Sequence, residues 1–243
     1  MVSSIRIALV TGANKGIGLE IARQLAQAGT VVIIGARDAG RGKSALEKLL
    51  SEGINVQVVA LDITDKHSIA AAVETITREY GRLDILVNNA GIVDAKDGPP
   101  DVASPDAVRR ILETNFIGTL ALTQAMLPLL HKSPAANIVN LSSSLGSLML
   151  NGDPDSPYYS ARLLGYNASK AALNMLTVQL AEQLRGSAIK VHSVSPGYVK
   201  TDLTGHSGTM TVEEGAKLPV QFALAAGDGV SGSFVGPDGP APW

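Results

Sequence analysis

A tyrosine and a lysine four residues apart lie on one face of a helix, and Tyr166-Asn-Ala-Ser-Lys170 has that spacing. An unperturbed phenol titrates near pH ~10, too high for easy proton exchange at neutrality. A neighbouring ammonium lowers that value by roughly 1–3 units. Of the five tyrosines, only Tyr166 has lysine at the fourth position; Tyr80, Tyr158, Tyr159 and Tyr198 meet Asp84, Arg162, Leu163 and Asp202 there. The spacing alone is common, and its weight comes from position. The pair opens a helical segment that follows a strand ending in Ser142, Ser143 and Ser144. A hydroxyl donor, a phenol and an ammonium together can hold a substrate oxygen and protonate it. On spacing alone any of the three serines could be the donor.

A second group of residues suits a phosphate. Thr11-Gly12-Ala13-Asn14-Lys15-Gly16-Ile17-Gly18 joins an apolar run to a helical one. Glycine allows a tight turn and close backbone approach, and the N–H groups at a helix start attract an anion. The glycines are spaced G-x-x-x-G-x-G, unlike the common G-x-G-x-x-G, and the Gly-Lys-Ser/Thr end of a P-loop is missing. The plainer reading is a turn without a ligand, but a strand–turn–helix at the first junction favours a dinucleotide. The next apolar run ends Ile33-Ile34-Gly35-Ala36-Arg37-Asp38, with Arg41 beyond it. An acid here suits the ribose 2′-hydroxyl of NAD, an arginine the 2′-phosphate of NADP. Ala36, Arg37 and Arg41, with Lys15 as a third cation, favour NADPH. Asp38 as a ribose acid is the alternative.

Apolar runs at 5–10, 31–34, 56–61, 83–87, 137–141 and 189–194 read as six strands. Segments of helical period at 16–28, 44–50, 68–80, 108–130 and 166–184 separate them. Continuous apolar strands alternating with helices predict a doubly wound (Rossmann) α/β fold, a parallel sheet with helices on both faces. One domain over 1–243 is expected, with the motifs at carboxyl ends of strands, where ligands bind in such sheets. Irregular stretches fall at 94–104, 146–163 and 196–211, a short final strand at 233–235, and a Gly/Pro-rich end from Gly229. Loops at about 145–163 and 198–215 are expected to border the substrate. Within the second, 203–214 has two glycines and few apolar side chains before Met210, which predicts a mobile lid carrying Leu203 and Met210 onto the substrate.

The 243 residues are 45% hydrophobic with formal net charge -2, enough for one core and without a field that draws nucleic acid or anionic membrane. The absence of cysteine excludes disulfides, iron–sulfur clusters and thiolate zinc sites. His67, His131, His192 and His206 show no metal-ligand spacing, so no metal is expected. No stretch approaches the roughly 20 apolar residues of a membrane helix, and Met1-Val-Ser-Ser-Ile-Arg lacks the pattern of a secretory leader. A cytoplasmic protein is the expectation.

Together, Thr11-Gly-x-x-x-Gly-Ile-Gly18, Asn88-Asn-Ala-Gly91, Asn115, the serines at 142–144, Tyr166-Asn-Ala-Ser-Lys170 and Pro196-Gly197 resemble the short-chain dehydrogenase/reductase family, in its order, over residues 5 to about 202. Gly-Ala-Asn-Lys-Gly-Ile-Gly18, Ala36-Arg-Asp-x-x-Arg-Gly42 and Trp243 look most like its NADPH carbonyl reductases. The resemblance implies reversible reduction of a small ketone or aldehyde, with Tyr166 as proton donor. It makes Ser143, the second serine, the hydrogen-bond donor to the substrate oxygen. Lys170 would lower the tyrosine pKa and hold the nicotinamide ribose, and Asn115 would anchor a proton-relaying water. Gly12, Asn14, Lys15, Gly16, Ile17 and Gly18 would hold the phosphates, Arg37 and Arg41 the 2′-phosphate, and Asp62 with Ile63 the adenine. Asn89, Ala90 and Gly91 would line the cofactor, Pro196, Gly197 and Val199 the nicotinamide, and Thr201 the phosphates. In isolation Asn88 to Gly91 reads as a turn, and Asn115 equally as a helix contact.

One feature departs from the family pattern: Ser143 and Tyr166 stand 23 residues apart, where about a dozen is typical. The extra residues precede a helix the family commonly uses in assembly, so homo-oligomer and monomer both remain open. Two rival functions share the motifs. An NAD-dependent alcohol dehydrogenase would differ only at Ala36, Arg37 and Arg41, and an NADPH-binding sensor would lack the tyrosine or the lysine.

Overall fold

β1 (Ile7–Thr11), β4 (Ile85–Asn88) and β5 (Ala136–Leu141) are buried along their whole length. That is the mark of strands covered on both faces. The computed structural model describes residues 5–225 and 230–243; the Met1-to-Ser4 stretch and Gly229 lie outside the described residues. β2 (Val31–Ala36), β3 (Gln57–Ala60), β6 (Ile189–Val194), β7 (Ser233–Gly236) and β8 (Gly239–Pro240) complete one sheet in the order β3-β2-β1-β4-β5-β6-β7-β8. All neighbours pair in parallel except β7 and β8. The fold is the expected doubly wound α/β sheet, with β7 where a short final strand was expected and one further short strand, β8, at its edge. Side chains alternate between two cores. Ala8 and Val10 face α1 (Gly16–Gln27), α2 (Ala39–Ser51) and α8 (Val212–Leu224), while Ile7 and Leu9 face α3 (Lys66–Tyr80), α5 (Thr119–Leu130) and α7 (Leu164–Gln183). Strand order reverses between β1 and β4, which opens a crevice at their carboxyl ends.

Three segments differ from expectation. The single helix read over 108–130 is α4 (Pro105–Leu112), a π-helical turn at Glu113–Gly118, then α5. The wider turn brings Asn115 inward, and turns of this kind recur at functional sites. α8 was not expected at all, because Gly215 and Pro219 interrupt its apolar period. It forms nevertheless behind a Thr211–Glu214 capping box, and Gly215 is needed where Val199 presses against the helix. The irregular 146–163 stretch contains α6 (Leu148–Gly152), preceded by a 3₁₀ turn at Ser144–Gly146.

Candidate active site

A cleft of about 1010 Å³ occupies the crevice. Gly12, Asn14, Lys15, Gly16, Ile17, Gly18, Arg37, Arg41, Asp62, Ile63, Asn89, Ala90, Gly91 and Thr201 line it; Pro196, Gly197 and Val199 do not. Gly12 and Gly16 hold φ of 61° and 57°, the left-handed region that glycine tolerates. α1 begins at Lys15 with no side-chain cap and no acid in its first turn, so its first N–H groups are free for an anion. Asn89 lines the cleft and also braces it. Its amide nitrogen donates to the Thr11 and Gly12 carbonyls at 2.8 and 3.2 Å, locking the glycine turn to the end of β4. Thr11 Oγ1 closes the same junction by accepting from Asn89 N and Ala90 N at 3.0 and 2.9 Å.

At the far side of the cleft, Asp38 Oδ1 accepts from Arg41 N at 2.8 Å and caps α2. One of its oxygens thus serves the helix, and the residue also lines the cleft. Arg37 and Arg41 are exposed, and neither is in an ion pair among the described residues. Lys15 Nζ lies 2.5 Å from Asp202 Oδ2 across the cleft mouth. Free N–H groups at one end and free guanidinium groups at the other fit a dinucleotide with a 2′-phosphate.

Tyr166, Lys170 and Ser143 lie beyond the cleft lining. Gly91 joins the two regions: it lines the cleft, and a Cβ on it would sit 3.4 Å from Asn115 Oδ1 and 3.7 Å from Lys170 Nζ. The three serines separate cleanly. Ser142 Oγ donates to Asn174 Oδ1 at 2.6 Å, and Ser144 Oγ pairs with Ser195 Oγ at 3.3 Å. Ser143 Oγ accepts only from Leu145 N, at 3.2 Å, among the described residues, and it is the serine that acts on the Tyr166 phenol. Desolvation pushes that phenol up to about 12, and the nearby Ser143 opposes the rise. Burial likewise pushes Lys170 down to about 8, with Nζ donating to the Leu141 carbonyl at 2.7 Å and 5.6 Å from the Tyr166 ring centroid. Desolvation outweighs the ammonium, which turns toward the end of β5 instead.

Asn115 is buried, and its amide is occupied. Oδ1 accepts from Ile92 N at 2.8 Å, and Nδ2 donates to the Ile92 carbonyl and Ser169 Oγ at 3.0 Å each. It ties the chain after β4 to α7. Sequence reading missed its partner Ser169 and also Asn174. The signal was present, since the inward face of α7 reads Ser169, Lys170, Asn174 and Thr177 where a core helix carries aliphatic residues.

Residues 6–211 match the model of the short chain dehydrogenase family. The chain belongs to the short-chain dehydrogenase/reductase family. It is similar to (-)-isopiperitenone reductase of Mentha piperita, 36% identical over 94% of this chain and 95% of that protein. It is 35% identical to carbonyl reductase [NADPH] 1 of Mus musculus over 100% of both chains. Among solved structures, the NADPH-bound carbonyl reductase from chicken fatty liver superimposes with a TM-score of 0.86 at 33% identity, covering 98% of this chain and 99% of that one. The Mentha alignment spans 308 positions against 243 residues here, so that relative carries segments this short-chain dehydrogenase/reductase lacks.

Backbone hydrogen bonds fasten parts of both loops of this short-chain dehydrogenase/reductase. Val199 bridges to Met210, Lys200 N donates to the Met210 carbonyl at 2.9 Å, and Thr209 N and Met210 N donate to the Tyr198 carbonyl at 2.8 and 2.9 Å. Gly208 lies so close to Val199 that a Cβ would collide with its backbone. These backbone bonds join the segments on either side of 201–208, and the last part of the stretch expected as a lid is the start of α8. Met210 packs on Gly197 and Pro237, away from the cleft, while Leu203 lines the cleft. In the other loop, Met149 N and Ser147 Oγ both donate to the Trp243 carbonyl at 3.3 Å, which ties α6 to the chain end. No described helix is long and apolar enough to cross a membrane. Among the described residues no group of three or more His, Cys, Asp or Glu is placed to hold a metal.

Proposed function

We propose that this protein is an NADPH-dependent reductase of small ketones or aldehydes, reversible in principle and cytoplasmic. The observation that carries the reading is Ser143 beside a half-buried Tyr166 whose phenol is held protonated, next to a cleft with free arginines at its 2′-phosphate end. When bound, NADPH supplies the hydride that reduces the carbonyl carbon. Ser143 donates a hydrogen bond to the carbonyl oxygen and holds it against the phenol. Tyr166 then gives its proton to the oxygen as negative charge develops there. An alkoxide is a far stronger base than a phenolate, so the transfer is downhill even from a phenol near 12. Lys170, one helical turn away, counters the phenolate charge left behind. A site that keeps Tyr166 protonated suits reduction more than alcohol oxidation, which begins from tyrosinate. Against the NAD-dependent reading, one oxygen of Asp38 already accepts from Arg41 N as a helix cap.

The test is NADPH consumption across a panel of aldehydes, aryl ketones and keto esters, with NADH in parallel. Turnover should favour NADPH, and Tyr166→Phe should lose about 10²–10⁴-fold while still binding NADPH. Near-wild-type turnover in Tyr166→Phe would remove the tyrosine from the chemistry. NADPH binding without turnover of any substrate would favour the sensor.

A further inference from the structure

Tyr166 is the third residue of α7, inside the turn where helices fray and where N–H groups have no partner in the helix. The helix brings no cap of its own, since Leu163 at the capping position offers no side-chain acceptor. Its partners come from the irregular loop after β4. Gly165 N donates to Asp97 Oδ1 at 2.8 Å, Tyr166 N to Asp97 Oδ2 at 2.9 Å, and Leu164 N to the Gly98 carbonyl at 3.0 Å. One carboxylate thus closes on two adjacent N–H groups, and the arrangement uses both of its oxygens. The fit is close: a Cβ on Gly165 would lie 3.0 Å from Ile111 Cδ1 and 3.3 Å from Asp97 Oδ1. The loop is itself anchored, at Asp94 by Arg110 of α4, and at Ile92 by both ends of the Asn115 amide.

We propose that Asp97 is a positioning residue, whose carboxylate caps α7 from a distance, holds the Tyr166 hydroxyl in register with Ser143 and so governs proton transfer. This rests on the reading of Tyr166 as the proton donor. A helix start free to fray moves the phenol by an ångström or more, and a displacement of about 1 Å can cost on the order of 10²-fold in rate.

The experiment measures turnover, NADPH binding and amide exchange in Asp97→Ala, in Tyr166→Phe and in the double variant. Asp97→Ala should lower kcat about 10–100-fold and leave NADPH affinity essentially unchanged, because Asp97 does not line the nucleotide cleft. In the cofactor-free protein the Gly165 and Tyr166 amides should exchange faster. Asp97→Asn keeps one accepting oxygen but turns an NH₂ toward the other donor, so it should also be slow; it serves if the alanine variant does not fold. In the Tyr166→Phe background, losing Asp97 should cost nothing more. General loosening would instead lower the residual rate further, and that additive outcome would overturn the positioning role. Slow Tyr166→Phe with wild-type turnover and unchanged exchange in both Asp97 variants would also overturn it. Full turnover in Tyr166→Phe would remove the donor reading on which both rest.

Discussion

The Tyr166–Lys170 pair shows how desolvation acts on two groups whose spacing the sequence displays. Tyr166 rises to about 12, so its folded-state contribution is complete below the unfolded value near ~10 and disappears as pH climbs through 12. Lys170 falls to about 8, so its contribution is present above the unfolded value and is lost as pH drops through 8. Between those two values the cofactor-free site holds a neutral amine beside a neutral phenol. An ultraviolet phenolate titration of the wild type minus Tyr166→Phe should therefore show no step for this residue below about pH 10. A step near neutrality would mean an ammonium–tyrosinate pair, and the desolvation argument would be wrong. The identities of both residues were legible because helical spacing is written in the chain. The sign of the pKa shift was not, because it depends on what the rest of the molecule buries. The choice of Ser143 likewise needed the strand end, where Asn174 and Ser195 take its two neighbours.

At the scale of elements, glycines mark close approaches within the chain that the sequence does not display. Gly18 reads as a place where backbone meets phosphate, yet a Cβ there would collide with the Asn89 amide and lie 2.9 Å from the Gly12 carbonyl. Gly18→Ala should lower the urea midpoint by an amount equivalent to roughly 1–3 kcal/mol, and Asn89→Ala in the same chain should recover part of it. An unchanged midpoint in Gly18→Ala would show that the turn and α1 have room to spare. The strands and most helices were legible to within a few residues because period 2 and period 3.6 survive in a buried sheet. α8 was hidden by Gly215 and Pro219, and the π turn by its small difference from 3.6 over six residues. Asp97 was invisible for a different reason. A carboxylate in an irregular loop carries no periodic signal, and its partners at Gly165 and Tyr166 are 68 and 69 residues away.

Across the whole molecule, buried polar side chains cross-link the elements that carry the site. Asn88 Nδ2 donates to Thr123 Oγ1 and Asn140 Oδ1, Asn140 Nδ2 to Thr177 Oγ1, and Thr177 meets Ser193, joining β4, α5, β5, α7 and β6. A sheet tied this way should unfold as one unit, so a proton bound at one buried position is felt in the stability of the whole chain. His192 on β6 supplies such a position. It is 4% exposed, its Nδ1 meets Ser233 Oγ at 2.6 Å, and its ring tilts against Phe222 with centroids 4.8 Å apart. Burial first, and then the Lys190 charge, push it down to about 4. The unfolded chain thus binds this proton more readily, and stability present above about pH 6.5 drains away as pH falls toward 4. At about 1.4 kcal/mol per pH unit, His192 should account for about 2 kcal/mol of the loss between pH 7 and 5. Asparagine can keep a hydrogen bond to Ser233 without titrating, and His192→Asn also leaves the carboxylates that lose stability over the same range unaltered. Urea unfolding of both proteins at pH 7 and 5 should give a shallower acid decline in the variant. Parallel declines would place the proton elsewhere and show that the folded sheet accepts a charged imidazole beside Phe222.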